Sequence, residues 1–218
     1  MSRRMRKSKP LIYVFCEGES EQAYTDFLKY SFSDVAVIKR PSSTGLFEEA
    51  ISKFRKDKRY RDSVEVTDEI WFFFDVELKD VENWGKRLEA IKSLRKLRKN
   101  PNIRVRLLMT TGCIEYWLLL HYYMLSPPIL TVSDKERILA KVISEEPTYK
   151  KGDYDATAKI AINYQKAINN ARRTVQNLIP VGLPGMEDTD VRNQWLHTEC
   201  KTFSTVYEAI EYLEELST

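Results

Sequence analysis

Short apolar runs alternate with amphipathic segments through the first half of the chain. Four of these runs predict buried strands, and apolar side chains at helical spacing predict the helices between them. The predicted strands cover residues 11–16, 34–39, 69–75 and 102–109. Strands that alternate with helices form right-handed crossovers and a mostly parallel sheet. We therefore predict an α/β core over residues 11–112, with a four-stranded, mostly parallel sheet flanked by helices.

The pattern changes after Cys113. The string at 114–123 is apolar on nearly every side and predicts a buried helix. Further helices are predicted at about 133–144, 154–176 and 203–216, and the two prolines and two glycines of segment 180–193 predict a loop. We interpret residues 113–218 as a helical extension packed on the core.

Carboxylates follow three of the four predicted strands. Glu17 follows the first strand, Asp75 and Glu77 end the third, and Glu115 begins the helix after the fourth. The carboxyl ends of parallel strands meet at one edge of a sheet, where α/β proteins bind ligands. Clustered carboxylates bind hard cations, so we predict Mg²⁺ or Mn²⁺ held by Glu17, Asp75 and Glu77, with Glu17 and Glu115 as catalytic candidates.

Each carboxylate also has a structural interpretation. Glu17 and Glu115 lie where helices begin, and a helix N-terminus favours negative charge. An acidic pair at a strand end, such as Asp75 and Glu77, is often a cap or a turn. Carboxylates brought together raise one another's pKa unless a cation is present, so the cluster predicts a metal site or a proton shuttle.

Basic residues are concentrated in three places. The first ten residues hold five of them, which exceeds the net charge of +3 for the whole chain, and they predict a basic N-terminal arm at residues 1–10. Clusters at 53–61 and 92–99 and a loop at 150–154 add further cations. The candidates for contact with DNA or RNA phosphates are Lys53, Arg55, Lys56, Lys92, Arg95, Lys96, Lys150 and Lys151. The alternative is that these are only solvated surfaces.

Several other classes of protein are disfavoured. The chain has no phosphate-binding GxxxxGK[ST] loop, no GxGxxG and no GxSxG motif. Three scattered cysteines and two histidines argue against a zinc site or a disulfide framework. No apolar run approaches the length of a membrane span, and the N-terminus lacks the pattern of a signal peptide, so we expect a cytoplasmic protein that does not associate with membranes.

The most specific string of the chain is Glu115-Tyr116-Trp117-Leu118-Leu119-Leu120-His121-Tyr122. It resembles a string of the RloB/AbiLii-like proteins, which are Toprim-fold proteins of bacterial and archaeal defence loci. The Cys16-Glu17-Gly18-Glu19-x-Glu21 turn, the FFFDVE string that contains Asp75 and Glu77, and the Lys-Gly loop at 149–154 are similar too. Three positions depart from the family pattern, because Glu77 replaces an Asp and Thr111-Gly112 replace Asn-Pro.

The resemblance implies a Toprim-like core in which Glu17 is the lone Glu and Asp75 and Glu77 stand for the D-x-D pair that binds Mg²⁺. It also implies phage defence by abortive infection and a separately encoded ATPase as partner. The favoured function is a Mg²⁺-dependent nuclease or related phosphodiester-transfer enzyme. The alternative is a non-catalytic module that binds nucleic acid or a nucleotide and regulates the ATPase.

Overall fold

The computed structural model describes residues 9–217, and its centre is a single four-stranded sheet. The strands are β1 (Leu11–Cys16), β2 (Val37–Lys39), β3 (Thr67–Val76) and β4 (Arg104–Thr111). All neighbouring pairs are parallel, and the strand order is β2-β1-β3-β4. This architecture confirms the predicted α/β fold class and agrees with a Toprim-like core.

The sheet forms because its central strands are apolar on both faces. Every residue of β1 is buried, and β3 carries Trp71 and three phenylalanines that are at most 1% exposed. Strands that are buried on both faces are typical of parallel sheets covered by helices. Phe47 from a covering helix stacks on Phe72 with ring centroids 4.1 Å apart. Burial of these rings is the main source of the core's stability.

Four helices accompany the sheet in the first half of the chain. They are α1 (Glu19–Ser31), α2 (Phe47–Lys56), α3 (Lys58–Asp62) and α4 (Trp84–Arg95). The prediction of a strand at 34–39 was too long, because the backbone turns at 32–36 and Ala36 N–H donates to the Phe32 carbonyl. The amphipathic pattern of residues 80–98 predicts one long helix, but Leu78–Asn83 forms a 3₁₀ turn and the α-helical part ends at Arg95.

The second half is helical as predicted, with different boundaries. It contains α5 (Ile114–Leu119), α6 (Val132–Glu145), α7 (Tyr154–Ala161), α8 (Tyr164–Gln176), α9 (Asp190–Glu199) and α10 (Tyr207–Glu215). The single helix predicted at 154–176 is two helices. The loop predicted at 180–193 was wrong in its last residues, because the Thr189 hydroxyl accepts from Arg192 N–H and starts α9.

The second half covers the outer edge of β4. Ser204 forms an antiparallel bridge with Thr110, and Thr205 N–H donates to the Met109 carbonyl at 2.9 Å. A covered edge has no free row of backbone groups that would pair with another chain. The predicted N-terminal arm falls almost entirely on residues 1–8, which lie outside the described residues. Within 9–217, no helix is both long and apolar enough to cross a membrane.

Candidate active site

The carboxyl ends of β1, β3 and β4 bring acidic residues to one edge of the sheet. Glu17 directly follows β1, Asp75 is the penultimate residue of β3, and Glu115 lies in the first turn of α5. The backbone N–H of Asp75 donates to Oε2 of Glu17 at 3.0 Å. Glu17 and Asp75 are therefore neighbours at the same edge, as the strand pattern predicted.

One oxygen of the Asp75 carboxylate is buried at this edge without compensation from the described residues. Its Oδ1 is buried and has no hydrogen-bond partner among residues 9–217. Burial raises the pKa of Asp75 well above its ordinary value, and the negative charges of Glu21, Glu17 and Glu115 raise it further, while Lys135 opposes them. A buried carboxylate without a partner is costly, so this group favours either a proton or a bound cation.

Glu21 joins the site, although the strand pattern did not select it. Its side chain is buried, and its Oε2 accepts from the N–H of Gly18 at 2.9 Å. Burial is the main cause that raises the pKa of Glu21 to about 7, and the negative charges of Glu17 and Glu115 raise it as well. The backbone hydrogen bonds that its carboxylate accepts oppose this rise. Gly18 is the residue before α1, and Glu21 follows it by three positions. A glutamate at this spacing is the sequence signal for a side chain that accepts from the free N–H at the start of a helix.

Glu17 lies at the solvent-exposed rim of the site. One side of the Glu17 side chain faces the protein and loses hydration there. This partial burial raises the pKa of Glu17. The Asp75 N–H bond and the charge of Arg87 oppose the rise, while Asp80 and Glu77 add to it. Glu17 therefore combines access to solvent with a proton affinity above that of an ordinary glutamate, which suits a group that exchanges protons.

Glu115 is buried, with 1% of its surface exposed, and has two partners from the second half of the chain. The Tyr149 hydroxyl donates to Glu115 Oε1 at 3.1 Å, and Lys151 Nζ lies 3.5 Å from the same oxygen. Lys150 is exposed. The second half of the chain thus supplies Lys151 to the site, next to one of the predicted catalytic residues.

Gly152 lets this loop pack closely against the turn after β1. Its φ is +75°, which side chains disfavour, and its N–H donates to Ser20 Oγ at 3.1 Å. A Cβ added at Gly152 would lie 3.0 Å from Cβ of Glu19. Glycine is therefore required here both by the backbone conformation and by the close approach.

The Glu77 carboxylate has two lysine partners. Its Oε1 lies 3.0 Å from Lys135 Nζ on α6 and 3.2 Å from Lys79 Nζ. Burial alone would raise the pKa of Glu77, but the hydrogen bonds and charges of the two lysines outweigh it and lower the pKa. The structure therefore pairs Glu77 with cations, while it surrounds Asp75 with other carboxylates.

Arg87 is a second residue that the strand pattern did not identify. Its side chain is 12% exposed, lies 3.6 Å from Asp80, and has its guanidinium carbon 4.9 Å from the ring centroid of Phe74. Its Nη1 is 2.5 Å from Nε2 of His197. Burial and then Arg87 lower the pKa of His197 to about 4, so this imidazole is neutral and accepts the bond. These contacts fix a cation near Glu17.

The profile of the RloB-like protein family matches residues 12–213, which is most of the chain. The chain belongs to the RloB-like family. This confirms the family that the ExWLLLHY string and the turn after β1 indicated. No curated protein matches the chain.

The predicted phosphate contacts of this RloB-like protein are not equivalent in the structure. Arg95 is held by Asp190 through two hydrogen bonds of 2.8 Å, whereas Lys92 and Lys96 are exposed. Arg55 lines a groove of about 500 Å³ between α2 and α4. The other two candidates, Lys53 and Lys56, lie on α2, where Lys53 is 3.5 Å from Glu49. The internal pairing of Arg95 leaves Lys92 and Lys96 as the freer cations of the 92–99 cluster.

The carboxylates suit a divalent ion that is only partly enclosed by protein. Within 9–217, no group of three or more Asp, Glu, His and Cys side chains is gathered closely enough to hold a metal by itself. Mg²⁺ is typically bound by one or two carboxylates, with water and substrate phosphate as the other ligands. The unpartnered Asp75 Oδ1, with Glu17 as a second carboxylate beside it, fits that arrangement.

Proposed function

We propose that this RloB-like protein is a Mg²⁺- or Mn²⁺-dependent nuclease or a related phosphodiester-transfer enzyme. The observation that carries the proposal is the buried Oδ1 of Asp75, which has no hydrogen-bond partner within 9–217 and lies near the charges of Glu17 and Glu21. Asp75 and Glu17 would hold the ion, with Glu21 as a further negative charge nearby. Glu77 would join them only by leaving its two lysines. A bound divalent ion supplies charge neutralisation at the phosphate and an activated water.

The protein's own side chains would do the remaining chemistry. Glu17 Oε2 is fixed by the Asp75 N–H, so Oε1 is the atom that takes up and releases a proton. Burial raises the pKa of Glu17 above its ordinary value, and we propose that Glu17 acts as a general acid or base. Arg87 and Lys151 lie beside Glu17 and Glu115, and they would contact the phosphate and the charge that develops on it. Glu115 would position Lys151.

DNA or RNA is the proposed substrate, with the exposed lysines and the N-terminal arm as phosphate contacts. Family membership supports a role in phage defence beside a separately encoded ATPase. The chain has no phosphate-binding loop of its own, so the purified protein is expected to hydrolyse no ATP.

The test is cleavage of a panel of single- and double-stranded DNA and RNA oligonucleotides with and without Mg²⁺. Asp75→Asn and Glu17→Gln keep the size of each side chain and remove its charge, so each is expected to abolish Mg²⁺-dependent cleavage. Glu136→Gln, an exposed position on α6, is the matched control. Unchanged cleavage in both site variants would reject the catalytic roles.

A second function is favoured by the state of Glu77. Its pairing with Lys79 and Lys135, together with the lack of a three-carboxylate cluster within 9–217, also suits a module that binds nucleic acid or a nucleotide without cleaving it. Such a module would regulate its partner ATPase. Binding of oligonucleotide that is indifferent to Mg²⁺, with no cleavage under any condition, would favour this second function.

A further inference from the structure

A groove of about 780 Å³ runs along the free edge of the sheet. Its floor is the edge strand β2, which has a strand neighbour on one side only among the described residues. One wall comes from α1 and carries Lys29 and Tyr30, and the other comes from α2 and α3 and carries Lys53 and Tyr60. We call this the edge groove. It lies apart from the acidic site and has no part in the chemistry described above.

The edge groove has a strong excess of positive charge. Five cations line it, namely Lys29, Lys39, Arg40, Lys53 and Arg59, against the single carboxylate of Asp26. Asp26 is already bound by Arg40 through hydrogen bonds of 3.0 and 2.6 Å. Lys53 and Arg59 have carboxylate partners at 3.5 and 3.2 Å outside the lining residues.

Two of these cations have no carboxylate partner in the part of the chain that the structure describes. Within 9–217, neither Lys29 nor Lys39 has a carboxylate oxygen within 4.0 Å, and their contacts are with the rings of Tyr30 and Tyr13, at 5.4 and 6.0 Å from the centroids. Free lysines in a concave surface that is poor in acid attract a polyanion, and binding releases counterions.

An exposed aromatic ring lies among these cations. Tyr30 is 61% exposed, which is unusual for a large aromatic side chain, and its ring contacts Tyr154 edge-on at 5.9 Å. A tyrosine face that is held in place beside lysines is a platform on which an unpaired base can stack. A duplex keeps its bases stacked inside and cannot use such a platform. The combination therefore favours a single strand over a duplex.

The edge groove leads toward the acidic site. β2 runs parallel to β1 with Lys39 opposite Tyr13, and the groove continues to Ser42 beyond the end of β2. The segment after it is tied to the site, because Gly45 N–H donates to the carbonyl of Cys16, the residue before Glu17. At about 3.3 Å per residue, Glu17 lies roughly 13 Å further along the strand direction than Lys39. A few nucleotides span that distance.

We infer that the edge groove binds single-stranded nucleic acid and directs it across the end of β2 to the carboxylates at Glu17 and Asp75. Lys29 and Lys39 contact successive phosphates, and Tyr30 stacks on a base. The delivery of the strand to the carboxylates rests on the proposed function. Binding of the strand in the edge groove does not require cleavage.

The test is fluorescence anisotropy with labelled single-stranded DNA and RNA oligonucleotides and the matching duplexes, over a range of salt concentrations. Asp75→Asn is the parent protein, so that no cleavage occurs. Adding Lys29→Glu and Lys39→Glu should weaken single-strand binding at least about tenfold and reduce the salt slope by about 1.4, since each lost phosphate contact removes about 0.7. Adding Tyr30→Ala should weaken binding about tenfold and leave the salt slope unchanged, because stacking releases no counterions.

The control for the charge reversal is Lys141→Glu with Arg173→Glu, two exposed cations on α6 and α8. It changes the net charge equally and should alter affinity by less than about twofold, since contact with phosphate, and not net charge, dominates binding.

Three results would overturn the inference. They are unchanged affinity after the charge reversal in the edge groove, tighter binding of duplex than of single strands, and binding of an acidic peptide in the groove with no binding of oligonucleotide. If the groove variants bind normally while Asp75→Asn alone abolishes cleavage, the inference about the edge groove is rejected and the proposed function is retained. If the protein binds and cleaves no oligonucleotide, both fail.

Discussion

Neutralising Glu21 should stabilise the apo protein in a pH-dependent way. The pKa of Glu21 rises from 4.5 to about 7 in the folded protein. Each pKa unit corresponds to about 1.4 kcal/mol, so the ionised carboxylate destabilises the fold by about 3 kcal/mol at about pH 8. A raised carboxyl pKa destabilises only above the unfolded value. The difference between Glu21→Gln and wild type should therefore be near zero below pH 4.5, grow up to about pH 7, and then stay constant.

The assay is urea unfolding of the two proteins at several pH values without divalent metal. Glutamine keeps an oxygen that can accept from the Gly18 N–H, so the hydrogen bond at the start of α1 is retained. Glu136→Gln, exposed on α6, is the control and should leave the free energy of unfolding within about 0.5 kcal/mol at each pH. Mg²⁺ should stabilise the wild type and narrow its gap to Glu21→Gln. A less stable Glu21→Gln protein at about pH 8, or a gap that does not change with pH, would refute the reasoning.

Two further predictions concern the loop beside the site and a buried ion pair near the start of β3. Gly152→Ala should cost about 1–2 kcal/mol of stability in a urea titration, because a φ of +75° is strained for alanine. The same variant should lower cleavage. The control is Gly185→Ala, which should not destabilise the protein because a Cβ there meets nothing within 4 Å. Arg106→Met should cost about 3 kcal/mol, because it removes the cation 3.2 Å from the buried Glu69 and leaves, among the described residues, only Arg104 at 4.0 Å and the Trp71 N–H as its partners. Adding Glu69→Leu should recover part of that loss, and a double variant less stable than Arg106→Met would contradict this account.

The core fold was predictable because its signals are local. The apolar runs of β1 and β3 exclude most alternatives to buried strands, and parallel strands bring their carboxyl ends together. This was enough to place Glu17 and Asp75 at one edge, where a hydrogen bond now joins them. The ExWLLLHY string also located Glu115 and the correct family.

Other parts depended on contacts between distant segments. The pairing of Glu77 with Lys135 joins β3 to α6, and no spacing in the sequence indicates it. The placement of Arg87 depends in the same way on His197. The start of α9 was missed because the prolines and glycines of 180–189 outweighed the capping residue Thr189, although that signal was present.

The central claim is that Asp75 is a ligand for a divalent cation, and Mn²⁺ binding tests it most directly. Isothermal titration calorimetry of wild type, Asp75→Asn and the control Glu136→Gln separates metal binding from any activity. The account predicts that Mn²⁺ binds the wild type and Glu136→Gln alike and binds Asp75→Asn at least about tenfold more weakly, since even partners of metal ligands contribute that much. Equal affinity of Asp75→Asn and wild type for Mn²⁺ would contradict it.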